Sequence, residues 1–198
     1  MTMHRGSDGA RDHRLKSEKQ LAIHEAAHAV VARALGVAVT HVTLFPTRPD
    51  QNATVQTRAA TFLARNSSMA AVQSANAKDA RIALAGNIAE RRYRPNDKSA
   101  KQGVGAEGDA KRAAVMAQMH VLVGAGLCDL ANPPSEPIDV TPEQNDAAGV
   151  LLRQWWDETA ELVDLNWRTI RHVAKALRQR RFLDAEALDQ LIAEGGAG

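Results

Sequence analysis

The spacing of apolar residues divides the chain into a long first helix, a short β segment and four further helical stretches. From Leu21 onward, Ala22, Ile23, Ala26, Ala27, Val30 and Val31 recur at helical intervals, which predicts a helix over about 17–35. Ser17 and Gln20 are spaced as its capping box, and Gly36 suits its end. The next run, Val37 to Phe45, is β-branched and stops at Pro46, so it reads as a strand. Thr47 to Asn52 looks like a turn, and Ala53 to Arg58 like a second, weaker strand whose polar alternation suits a sheet edge.

Beyond this small sheet the pattern is helical. Asn76 can cap a helix through about Tyr93, with Ile82, Ala85, Ile88 and Ala89 facing inward and Pro95-Asn96-Asp97 ending it. After a loop rich in Lys, Ser and Gly, a helix is expected from about Glu107 to Val123, closing at Gly124 and Gly126. Asn132 to Pro137 contains three prolines and reads as a surface connection. Thr141-Pro142-Glu143-Gln144 then combines an N-cap, a proline at the first helical position and a capping-box partner, opening a long helical stretch to about Arg180. Leu151, Trp155, Leu162, Leu165, Ile170 and Leu177 are among its helix-spaced apolar positions, so its tryptophans read as core. Asp184 caps a last short helix ending near Glu194. The expectation is a mainly α fold with a small β-sheet and a C-terminal helical bundle. A polar tail (1–14) precedes one domain (15–194), whose first part is 15–130 and whose C-terminal helices span 140–194.

Composition narrows the class. A chain of 198 residues with 44% hydrophobic residues can bury one core without disulfides. Its net charge of +2, from 25 basic and 23 acidic residues, is too balanced to argue for nucleic acid. The clusters Arg91 to Arg94 and Arg178 to Arg181 fall at expected helix ends, where cations suit the helix dipole. No apolar run approaches the roughly 18 residues of a membrane span, and the first fifteen residues lack the apolar centre of a signal peptide. The lone Cys128 has no partner in the chain and reads as a small core residue in a reducing compartment, so a cytoplasmic protein is expected.

The chemistry concentrates in the first helix, at His24-Glu25-Ala26-Ala27-His28. Two histidines four residues apart share one helix face, so both rings can reach one ion, and Glu25 stands a step around, placed to take a proton from a water. A catalytic zinc usually has three protein ligands, which leaves one to be found. Asp79, Glu90, Asp97, Glu107 and Asp109 are all available carboxylates, and spacing alone does not choose among them. Glu90 and Asp109 are the best placed, one amid apolar helix positions and the other at a helix start after flexible glycines. Gly103 to Gly108 matches G-x-G-x-x-G, but no strand precedes it and no P-loop occurs, so nucleotide binding is not expected.

These residues resemble the proteolytic domain of the FtsH-type ATP-dependent zinc metallopeptidases. The resemblance runs from His24-Glu25-Ala26-Ala27-His28 through His41-Val42-Thr43-Leu44, Ala83 to Glu90 and Gly105 to Ala113, and ends at Phe182 to Leu188. It implies a zincin-like fold, a zinc cofactor, Asp109 as third ligand, Glu90 as a structural carboxylate and His41 as a strand residue. Ala27 stands where that family usually has Gly, and the ATPase module and membrane anchor are absent from this sequence. The expected activity is therefore that of a stand-alone metalloendopeptidase acting on unfolded or flexible polypeptides, without nucleic acid or membrane. A separate unfoldase and a homo-oligomer are both compatible with it. Thr54, Val55 and Gln56 would hold an extended substrate by adding it to the sheet edge. The alternative from another class is an inactive module of the same fold serving as a binding or regulatory partner.

Overall fold

The computed structural model describes residues 7–44, 54–57, 68–95, 106–128 and 138–196, with side chains in the first helix from Glu18 onward. The expected turn at Thr47 to Asn52, the glycines at Gly103 and Gly105 and the prolines at Pro133, Pro134 and Pro137 lie outside these residues. Six helices and three strands follow in the order α1 (Ser7–Ala34), β1 (Val39–Thr43), β2 (Thr54–Thr57), α2 (Met69–Tyr93), α3 (Ala106–Gly124), α4 (Pro142–Leu165), α5 (Trp167–Arg180), β3 (Phe182–Asp184) and α6 (Ala185–Gly196). The fold is mainly helical, as expected.

Helix α1 is the axis of the molecule, packing on α2, α4, α5 and the sheet. Its middle is built for this: Ala22, Ala26, Ala27, Ala29 and Ala32 are completely buried, and their small side chains let neighbouring helices close in on several sides. The helix starts ten residues earlier than its apolar pattern indicates. Once the docked segment has nucleated, each added residue gains a hydrogen bond at little cost, so polar sequence can extend it. Ser17 and Gln20 consequently lie inside α1 rather than at its start. Its C-terminus is a Schellman motif, as Gly36 implied: Gly36 (φ 72°) and Val37 donate to the carbonyls of Arg33 and Ala32. That turn aims the chain straight into β1.

Strand β1 is central in a three-stranded antiparallel sheet of order β2-β1-β3. Val42 pairs with Val55 of β2 and Leu183 of β3, while the register slips between Val39 and His41. Strand β2 is at the sheet edge, as its polar alternation suggested. Strand β3 was not apparent in the sequence, because three residues carry too little periodicity to register.

Several boundaries differ from expectation. Helix α2 begins at the Ser68 N-cap, whose hydroxyl accepts from the Ala71 amide at 3.3 Å, so Asn76 is an interior residue. The stretch expected to be one helix over 142–180 is two, broken at Asn166. There the side-chain amide donates back to the Leu162 carbonyl at 2.8 Å, and such local bonding competes with helix continuation. Because α5 restarts in a new phase, Leu165 falls 82% exposed rather than inward. The Thr141 capping box forms with both bonds: Gln144 N–H to the Thr141 hydroxyl at 3.3 Å, and Thr141 N–H to the Gln144 side chain at 2.9 Å. Asp184 caps α6 through the Ala187 amide at 2.9 Å. Among the described residues no helix is long and apolar enough to cross a membrane.

Candidate metal centre

Helices α1, α2 and α3 bring the site together. His24, Glu25 and His28 come from the buried middle of α1, where they are 2%, 6% and 7% exposed. Each imidazole is anchored through Nδ1: His24 to the Glu90 carboxylate on α2 at 2.7 Å, and His28 to the backbone carbonyl of Ile82 at 2.6 Å. With Nδ1 so engaged, both rings aim Nε2 at the same point, and the two Nε2 atoms lie 2.9 Å apart. Asp109, from the first turn of α3, reaches that point with Oδ2 at 3.0 Å from His24 Nε2 and 3.2 Å from His28 Nε2.

These three donors form the one group of His, Cys, Asp and Glu among the described residues that could hold a metal ion, with ligand atoms within 4.8 Å of one another. Of the five candidate carboxylates, Asp109 thus joins the histidines, and Glu90 lies behind His24 on the side away from the donor cluster. Asp79 is buried on α2 outside the group. Asp97 and the side chain of Glu107 lie outside the described residues. His41 is a strand residue, with its ring stacked on Phe182 at 5.4 Å.

The electrostatics are those of a site that wants a cation. Burial disfavours a charged imidazole at His24, yet the hydrogen bonds it donates to Asp109 and Glu90 and the charges of Glu25 and Glu90 outweigh that and push the pKa up to about 10. Burial would likewise raise Asp109, but hydrogen bonds and charge from His24 and His28 hold its carboxyl far below the usual carboxylate range. Glu25 is pushed up, first by burial and then by Asp109 and Glu90, with the two imidazoles opposing.

Three surrounding features were not read from the sequence. Gln20 donates to the second oxygen of Glu90 at 2.6 Å, and Arg94 donates to the Gln20 carbonyl at 3.4 Å, so the carboxylate behind His24 is held at both ends. Gly86 faces the two rings across the α1–α2 contact. A Cβ there would stand 2.6 Å from His24 Cε1, His24 Nε2 and His28 Nε2, so only glycine leaves the donor cluster clear. The third is the Ile82 carbonyl. The signal for Gly86 was present, since a glycine inside an alanine-rich helix costs stability unless packing demands it. This clearance leaves the two-nitrogen, one-carboxylate donor set able to hold a metal ion.

Of the residues expected to line a substrate strand, Val55 is half-buried and paired with Val42, and β2 has no second strand on its outer edge among the described residues. The side chains of Thr54 and Gln56 are outside the description. Searches against protein families and against characterised proteins find no match to this chain.

Proposed function

We propose that the chain is a zinc-dependent metalloendopeptidase that hydrolyses peptide bonds in unfolded or flexible polypeptides. The observation that carries this reading is the convergence of His24 Nε2, His28 Nε2 and Asp109 Oδ2 beside a buried Glu25. His24, His28 and Asp109 would hold the ion, which when bound supplies Lewis-acid polarisation and a water acidified toward neutral pH.

The chain's own residues account for the remaining chemistry. Glu25 takes a proton from the attacking water and passes it to the leaving amine nitrogen. Burial raises its affinity for that proton, which suits a group that must hold it between two steps. Glu90 fixes the tautomer of His24 by accepting from Nδ1–H, leaving Nε2 as the donor atom, and Gln20 and Arg94 keep Glu90 in place. Among the described residues β2 has no strand on its outer edge, which supports a reading in which an extended peptide adds to the sheet there.

Glu25→Gln separates this reading from that of a binding module of the same shape. The amide fills the same volume and leaves the three donors untouched but cannot act as a base. The variant is expected to bind zinc like the parent while its turnover of an unstructured peptide falls at least about 100-fold. Equal turnover by the two proteins, or none by either at full zinc loading, would overturn it.

A further inference from the structure

A second concavity, of about 600 Å³, opens where α1, the end of α2, α5 and α6 meet, and none of the three donor residues lines it. Its charge is mostly positive, with Glu194 the one carboxylate in the lining. Arg168, Arg171, Lys175 and Arg178 line it from α5, and Lys19 faces them from α1. The α5 residues are spaced by three, four and three, which puts them on one helix face in a stripe about 15 Å long. Like charges at that spacing destabilise a helix on its own, so the stripe calls for a counter-charge.

Among the described residues, two carboxylates at the cavity answer part of it. Glu18 lies 3.8 Å from Arg178 and also serves Arg181, while Glu194 pairs with His172 at 3.1 Å. Among the described residues, no carboxylate lies within ion-pair distance of Lys19, Arg171 or Lys175. Arg171 and Lys175 are exposed. Between the cations the wall is apolar: Ile23, Tyr93 and Trp167 line the same cavity, and Arg92 stacks its guanidinium over Trp167 at 4.9 Å, which holds the indole in place.

We propose that this groove binds an acidic polypeptide segment in extended form, four to five residues long, with one bulky apolar side chain entering beside Trp167. The length follows from the stripe: about 15 Å of cations matches four to five residues at roughly 3.3 Å each, whereas a single phosphate or carboxylate would meet only one or two of them. A single nucleic-acid strand would want a series of aromatic platforms for successive bases, and the cavity offers Tyr93 and Trp167, with the smaller His172 ring, against five cations. The site does not depend on the metal centre, so it holds whether or not the chain is a peptidase.

The test is fluorescence anisotropy with the full chain, in chelator, using a labelled Glu-Glu-Phe-Glu-Glu peptide. Saturable 1:1 binding is expected, weakened at least about tenfold by Arg171→Glu and by Lys175→Glu, and weakened on raising salt from about 50 to about 300 mM. Both variants change exposed side chains, and circular dichroism and melting should match the parent. Trp167→Ala should remove the advantage of the Phe peptide over one with Ala in its place. Undiminished binding in both charge-reversal variants, equal binding of a Lys-Lys-Phe-Lys-Lys peptide, or tighter binding of an oligothymidine or ATP at the same residues would each overturn the proposal.

Discussion

At the scale of single residues, the division of labour between Asp109 and Glu90 is the point on which the site turns. Sequence spacing left both open, because a ligand on a separate helix can lie at any distance along the chain. Three-dimensional placement separates them: Asp109 meets both Nε2 atoms, and Glu90 accepts from His24 Nδ1. Asp109→Ala is therefore expected to abolish stoichiometric zinc binding. Glu90→Ala should weaken it by about 10- to 100-fold, the usual cost of losing the partner that orients a ligating histidine. Metal analysis of both variants checks this, and loss of zinc in Glu90→Ala alone would reverse the assignment. The pKa of His24 gives a second prediction. A raised imidazole pKa contributes stability that is fully present below the unfolded value near 6.5 and is lost as pH rises through about 10. Zinc must displace that proton, so its binding strengthens over the same range. The rise in Tm on adding zinc to chelated protein should thus grow from pH 7 to pH 10, and a shift independent of pH would contradict the electrostatics described for the site.

At the scale of elements, what was legible in the sequence was whatever had a strong local cause. The motif helix, the Gly36 turn, the Thr141 capping box and the Asp184 cap each rest on chemistry within a few residues, and each is present. Local signals also misled at Ser17 with Gln20 and at Asn76, which lie inside helices rather than at their starts. The other misjudged features have non-local or weak causes. Strand β3 exists because β1 offers it an edge, and the break at Asn166 depends on one side chain bonding back to Leu162. The arginines at the end of α2 are exposed in its last turn, as their place at a helix end implied, and Arg91 and Arg92 also stack over Trp156 and Trp167 from α4 and α5, which the sequence did not indicate. Gly86 belongs to the same class, since its reason for being glycine lies on another helix. Gly86→Ala should force α1 and α2 apart or turn the rings away from each other, costing about 1–3 kcal/mol in chemical denaturation together with most of the zinc affinity. Full zinc binding by that variant would show that the helices approach less closely than described.

At the scale of the whole molecule, the buried central helix α1 supplies His24 and His28, α3 adds Asp109, α2 backs His24 through Glu90, and β2 is an edge strand of the sheet among the described residues. Under the proposed function the substrate is a chain already extended, because a peptide can pair with a strand edge only when its own N–H and C=O groups are free. Folded domains are stable by about 5–15 kcal/mol and expose that form only rarely, so unaided activity is expected on unstructured substrates. The most direct measurement is a zinc titration of chelated protein, following cleavage of an unstructured peptide without ATP. Cleavage should be absent at the start, rise in proportion to added zinc and level off at one ion per chain. Cleavage that persists in the chelated protein, or none at any loading, would contradict the account.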